Sequence, residues 1–294
     1  MIEIDCVVRA QDELGEATIW DPGSGTFWWV DIFGNAIRNY VPATGETRSW
    51  MTPEHVGCIG LRERGGLVAA TVSGFHFFDP RTGLMTPIVD PEADVPETRF
   101  NDGKTDRFGR FWAASMFEVE GRKAEPVGCL YRLEPDMTVH RVLAGVTSPN
   151  GLAWSPDGRI MYFTDSSTHF VWAYDMDPAT GMASNKRVFI DLSAHNYVVD
   201  GATVDAEGNY WLTVPFGARV LGYSPAGRLI REIELPVDIP TCCEFGGPNL
   251  DVLYVTSAVL RRWGKPVRNP DVAGGLFAIT GLGVTGLQLP PFAG

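Results

Sequence analysis

One pattern recurs three times in this chain at intervals of 49 and 50 residues: a polar residue, a second polar residue five positions on and a glycine eight positions on. The three copies are Asn101, Asp106 and Gly109; Asn150, Ser155 and Gly158; and Asp200, Asp205 and Gly208. An aromatic run follows each glycine, at Phe111 and Trp112, at Tyr162 and Phe163, and at Tyr210 and Trp211. Self-similarity at such a period marks supersecondary units that bury their apolar faces only against one another.

The rest of the chain fits the same unit. Glycine (33) and proline (21) punctuate 294 residues, 45% of them hydrophobic, into short runs of aromatic and β-branched residues. No stretch sustains a helical apolar period over three turns, which predicts an all-β protein of many short strands. Six units can be marked, the first three from Gly15, Cys58 and Asn101 and the last three from Asn150, Asp200 and Cys242. Each offers a small-residue strand, an aromatic strand and two more. The expectation is a single domain over 1–294, a six-bladed β-propeller of four-stranded antiparallel blades. Residues 4–8 are expected to pair into the last blade and close the ring, which removes an edge. Short insertions are expected at 118–126 and 261–272.

Charge and cysteine content narrow the function classes. A net charge of −12 argues against nucleic acid or an anionic membrane as partner. No apolar run approaches ~18 residues, so no membrane span is expected. Cys6, Cys58, Cys129, Cys242 and Cys243 are odd in number and form no CxxC pair, which suits free thiols in a reducing compartment. The N-terminus lacks the features of a signal peptide, so a cytoplasmic location is expected. A monomer or weak homo-oligomer is expected.

In a propeller the innermost strands line the axis, and their first residues meet at one mouth. Glu16, Asn101, Asn150 and Asp200 are therefore expected around one pocket. Two carboxylates and two amides make a hard, oxygen-rich set suited to Ca²⁺, Mg²⁺ or Mn²⁺ and tolerant of Zn²⁺ or Fe²⁺. The alternative is that these residues solvate a water-filled channel or cap turns, a role that Asn-Asp and Asn-Gly pairs fill on their own.

Several stretches, in order, resemble the landmarks of the gluconolactonase/regucalcin (senescence-marker-protein) family: GEATIW (15–20), RFNDGK (99–104), SPNGLA (148–153), SNKRVF (184–189), Asp200 with Gly201, and FGGPN (245–249). The resemblance implies a six-bladed propeller and a metal-dependent sugar lactonase. It puts metal ligands at Glu16, Asn150 and Asp200 and substrate contacts at Arg99 and Asn101. Val199 stands where many members carry proline, and residues 117–120 depart from the family motif.

From this follow the expected roles. One divalent ion at Glu16, Asn150 and Asp200 would polarise a lactone carbonyl, with Asp200 also a candidate general base. Arg99 and Asn101 would hold substrate, with Asp102 either orienting them or serving as a turn residue. The expected partner is a small-molecule sugar lactone, favoured by the polar residues visible around the site. A non-catalytic calcium-binding propeller and a hydrolase of other esters or organophosphates are the alternatives. His195 and Tyr197, just before Asp200, are either substrate contacts or exposed loop. His55, His76 and His140 read as structural, Cys58 and Cys242 as small channel residues, and Trp28, Trp112 and Trp211 as blade core. GLGVTG (281–286) matches a dinucleotide fingerprint but opens no helix. The absence of a G-x-S-x-G elbow argues against a serine hydrolase.

Overall fold

Twenty-four strands assemble into six four-stranded antiparallel sheets arranged as the blades of a propeller. The computed structural model describes residues 1–261, 264 and 267–294, so part of the expected 261–272 insertion lies outside the described residues. Blade one holds β2 (Gly15–Asp21), β3 (Thr26–Asp31), β4 (Ala36–Val41) and β5 (Glu46–Met51); blade two holds β6 (Val56–Leu61), β7 (Leu67–Thr71), β8 (Gly74–Asp79) and β9 (Leu84–Val89). Blade three comprises β10 (Thr98–Thr105), β11 (Phe111–Phe117), β12 (Gly128–Leu133) and β13 (Val139–Val146). In blade four these are β14 (Pro149–Trp154), β15 (Ile160–Asp165), β16 (Phe170–Met176) and β17 (Ala183–Asp191). Blade five is built from β18 (Ala202–Val204), β19 (Tyr210–Val214), β20 (Arg219–Tyr223) and β21 (Leu229–Glu234).

The last blade combines β22 (Pro240–Gly246), β23 (Val252–Ser257) and β24 (Leu276–Thr280) with β1 (Glu3–Val8) from the other end of the chain. Cys6 pairs with Phe277 and Ile4 with Ile279, so the ring closes as expected. The fourth strands β5, β17 and β21 carry exposed charged side chains, and β13 exposes His140 and Arg141, which blunts the outer edges.

The recurrent pattern now has a physical content. Asp106 accepts hydrogen bonds from the backbone N–H of Phe108 (2.8 Å) and Arg110 (3.1 Å) and from Trp112 Nε1 (2.9 Å). Asp205 repeats this with Glu207 N (3.0 Å), Asn209 N (2.9 Å) and Trp211 Nε1 (2.9 Å). One carboxylate thus ties the turn to a fully buried indole between blades. Blade four carries Met161 in place of the tryptophan, and there Ser155, whose hydroxyl accepts only from Ile160 N (2.9 Å), suffices.

The core lies between the blades. Trp29, Trp112 and Trp211 are fully buried, Trp28 nearly so, and Trp112 packs 5.7 Å from Trp154. GLGVTG forms loop after β24, with no helix after it.

Candidate active site at the channel mouth

A register shift interrupts five of the six inner strands, and each falls beside a mouth residue: Glu16 in β2, Gly57 in β6, Asn101 in β10, Asn150 in β14 and Thr241 in β22. A β-bulge re-aims the side chain next to it. In β14 the extra residue is Gly151, at φ 66°, where a Cβ would lie 2.6 Å from Tyr210 Oη. At Gly57 a Cβ would lie 2.2 Å from the carbonyl oxygen of Phe100, and no residue of this blade lines the cavity at the mouth. The sixth inner strand starts only at Ala202, and Asp200 is held ahead of it by Asp200 N donating to Thr213 O (3.1 Å).

These devices bring Glu16, Asn101, Asn150 and Asp200 to one cavity of about 230 Å³, together with Arg99. That is smaller than the ~300–1,000 Å³ of sites for drug-sized ligands and suits a single small ring. A larger cavity of about 540 Å³ lies at the far end of β6, lined by Arg62, Arg64 and Arg81 among others, away from Glu16 and Asp200.

Glu16 is buried and Asp200 half-buried, and the two lie within hydrogen-bond reach of each other. Burial, then the Asp200 and Asp102 charges, push Glu16 well above the usual carboxylate range. Burial and then the Asp102 charge raise Asp200. Two facing carboxylates cannot both ionise cheaply without a cation, so in its absence the pair favours a shared proton.

Asn150 completes the set. Ser166 Oγ donates to Val199 O at 2.5 Å, so its only proton is committed and it must accept from Asn150 Nδ2 at 2.9 Å. The amide is thereby fixed with its nitrogen toward Ser166 and Oδ1 on the other side, where Asn101 Nδ2 reaches it at 3.2 Å. Asp165 holds the loop that carries Ser166, accepting from Thr147 N (2.8 Å), Ser148 N (3.1 Å) and Ser167 N (3.1 Å). Asp31 does the same before Glu16, through Leu14 N (3.0 Å) and Gly34 N (3.0 Å).

Arg99 is 5% exposed. Its Nε lies 2.6 Å from Glu118 Oε2, and Nη1 donates to Phe100 O (2.9 Å) and Asn101 Oδ1 (2.8 Å). Asn101 also donates to Pro149 O at 2.9 Å, so it links the arginine to Asn150. Asp102 lies off the cavity wall; its carboxylate accepts from Gly103 N (2.8 Å) and Leu152 N (3.1 Å). It acts on the site through its charge, and Arg99 is oriented by Glu118 and Asn101.

His195 and Tyr197 stack on each other (5.2 Å) and do not line the cavity, whereas Val198 does. Cys58 and Cys242 are buried in the channel, Cys242 Sγ lies 3.2 Å from Thr18 Oγ1, and burial raises both thiols, as suits packing residues. All five cysteines are free. Further along the inner strands, Lys104 Nζ meets Glu244 Oε2 at 2.8 Å, a buried pair closed by Thr203 Oγ1 on Glu244 Oε1 (2.7 Å).

Sequence reasoning missed Ser166, Glu118 and the apolar walls. Leu14, Phe33, Ile239 and Leu260, which form one cluster, line the cavity together with Met116, Val198, Pro215 and Phe216, so the surroundings are less polar than expected. An aspartate closing the second strand, at Asp31 and Asp165, was the available signal for the ordered loops.

The donor set suits a divalent cation: two carboxylates that repel each other and one oriented amide oxygen are hard oxygen donors, and a cation would take the place of the bridging proton. Among the described residues no group of three or more His, Cys, Asp or Glu side chains is gathered for a metal, so any ion here depends on the amide of Asn150. No helix among the described residues is long and apolar enough to cross a membrane.

Residues 14–259 match the family model described as the SMP-30/Gluconolactonase/LRE-like region. The chain is 37% identical to a regucalcin of Xenopus laevis over 299 residues, covering 100% of this chain and 99% of the relative. It is 34% identical to a 6-deoxy-6-sulfogluconolactonase of Pseudomonas putida over 293 residues, covering 99% and 98%. A crystal structure of a calcium-binding protein, regucalcin, from Agrobacterium tumefaciens superposes with a TM-score of 0.89 at 27% identity, covering 98% and 96% of the two chains.

Proposed function

The chain belongs to the SMP-30/gluconolactonase/LRE-like family, and on that premise we propose that it is a divalent-metal-dependent lactonase that opens a sugar-type lactone to the hydroxy acid. The observation that carries this reading is the meeting of a buried and a half-buried carboxylate, an oriented amide and an anchored arginine in one small cavity. The lactonase name of one full-length relative supports the reaction class, and the calcium-binding description of another supports a cation.

Glu16, Asn150 and Asp200 would hold the ion, whose identity among Ca²⁺, Zn²⁺, Mn²⁺, Mg²⁺ and Fe²⁺ the donors leave open. When bound, the ion would supply Lewis-acid polarisation of the lactone carbonyl. The Asp200 carboxylate accepts a proton from the attacking water as its oxygen bonds to the carbonyl carbon. That proton passes to the ring oxygen as the acyl C–O bond breaks, leaving a free hydroxyl and a carboxylic acid, which releases its own proton to solvent as it ionises. Arg99, with four of its five N–H donors in hydrogen bonds to Glu118, Phe100 and Asn101, is rigid, and its remaining donor orients the substrate. Asn101 supports both Arg99 and Asn150. The five free cysteines suit a reducing, cytoplasmic setting.

The test is proton release from a panel of lactones by chelator-stripped protein, before and after each ion is restored. Activity that vanishes with the chelator and returns with one ion is the expected result. Tight cation binding without hydrolysis of any lactone would instead support the non-catalytic calcium-binding alternative.

A further inference from the structure

The polar floor of the cavity stands between apolar walls. Ile239 and Leu260, both buried, pack with Leu14 and Phe33 into one cluster beside Glu16. In the neighbouring blade five Phe216 lines the same cavity while 53% exposed, on a backbone at φ 62°, a conformation that disfavours a bulky side chain. The polar side chains in between are mostly engaged. The Ser166 hydroxyl is used by Val199 O and Asn150, that of Thr241 by Gly15 O and Thr256 Oγ1, and the Asn101 amide by Arg99, Pro149 and Asn150. A fully hydroxylated sugar lactone would turn several hydroxyls toward carbon, and each hydroxyl buried without a partner costs binding.

We propose that the preferred substrate is a lactone with a hydrocarbon face, deoxygenated or alkyl-substituted on the part that meets these walls, rather than a fully hydroxylated aldonolactone. This rests on the lactonase reading above and specifies its substrate class. The polar floor takes the ester; the walls take a saturated substituent.

The experiment compares kcat/KM, with the activating ion present, along γ-lactones bearing hydrogen, methyl, ethyl or propyl next to the ring oxygen, and between a hexonolactone and its terminally deoxygenated counterpart. The expected result is a rise of about fourfold per added methylene and a preference for the deoxygenated sugar over its parent. A gain in only one arm identifies the source of the hydrocarbon face and supports the inference. Phe216→Ser, at a rim position 53% exposed, is expected to flatten the alkyl slope. A flat or falling slope together with faster turnover of the fully hydroxylated lactone overturns the inference and leaves the lactonase reading standing. No turnover of any member, with any ion, overturns both.

Discussion

Ser166→Ala tests whether the Asn150 amide is oriented by its neighbour. The substitution deletes one oxygen, but two buried groups lose a partner: Val199 O, which accepts from Ser166 Oγ at 2.5 Å, and Asn150 Nδ2, which donates to it at 2.9 Å. Asn150 and Ser166 are both buried, so water does not replace the hydroxyl freely. Each orphaned group costs ~1–3 kcal/mol, so a loss of about 2–4 kcal/mol is expected once partial relaxation is allowed for. In a chain of this size that lowers Tm by roughly 5–10 °C. With its nitrogen no longer anchored, the amide also loses its preferred flip, and cation affinity is expected to fall ~10–100-fold, as for other groups that orient a metal ligand. Thermal unfolding in chelator reads the first effect and titration calorimetry with the activating ion reads the second. A lowered Tm with unchanged cation affinity would refute the orienting role. Wild-type values of both would refute the hydrogen-bond assignment itself.

Three further predictions follow from the same geometry. Glu118→Ala is expected to raise KM about 10-fold with a smaller change in kcat, because Arg99 keeps its place through Phe100 O and Asn101 but loses its 2.6 Å anchor; steady-state kinetics checks this, and an unchanged KM would remove Arg99 from substrate binding. Burial and neighbouring charge raise both Glu16 and Asp200, the latter to about 8, so the ionised pair disfavours the fold. In chelator the contribution of this pair to stability should be intact below the ordinary carboxylate values of ~4 and be lost as pH rises toward 8. Saturating cation, or Asp200→Asn, should make that slope shallower in thermal scans, against the background of buried Asp12, itself raised to about 7, and an unchanged slope would contradict the pairing. Finally, Asp205→Ala should cost at least about 3 kcal/mol by orphaning the Trp211 indole and two turn amides, against about 1 kcal/mol for Ser155→Ala, where there is no indole to satisfy; denaturant midpoints compare the two.

The ring was legible because its signals are periodic. Asp106 and Asp205 sit at fixed offsets from Asn101 and Asp200 since each must reach the same turn amides and the same indole. Residues 4–8 were legible as the closing strand because nothing else covers the edge of the last blade. Convergence of Glu16, Asn101, Asn150 and Asp200 then followed from topology alone. What escaped was aperiodic. Ser166 and Glu118 each stand first after the second strand of their blades and Phe216 second after one, but the residue type at this place changes from blade to blade, so no sequence repeat marks it. Strand alternation also gives no warning about Asp102. The register shift between Phe100 and Asp102 turns its carboxylate to the amides of Gly103 and Leu152, away from the cavity.

That register shift is one of five, and their common level explains how the fold tolerates an unfavourable site. Side chains on a regular inner strand alternate between the channel and the blade interior, so an acidic residue placed there would be solvated or would disrupt packing. A bulge frees one residue from the ladder and directs it to the mouth, while the strand on either side stays paired: β14 pairs at Pro149 and Asn150, slips, and pairs again at Ala153. The cost of bringing Glu16 against Asp200 therefore falls on a frame whose hydrogen bonds are intact, including the neighbouring Lys104–Glu244 pair in the channel. A single rigid sheet could not bring these residues together, because they stand in blades one and five. Ring closure by β1 and β24 supplies the missing constraint. Without it blades one and six could separate, and the carboxylates would relieve their repulsion by moving apart rather than by taking up a cation. The closure of the ring and the affinity of the site are on this argument coupled: weakening the β1–β24 pairing should loosen cation binding even though no residue of either strand touches the cavity.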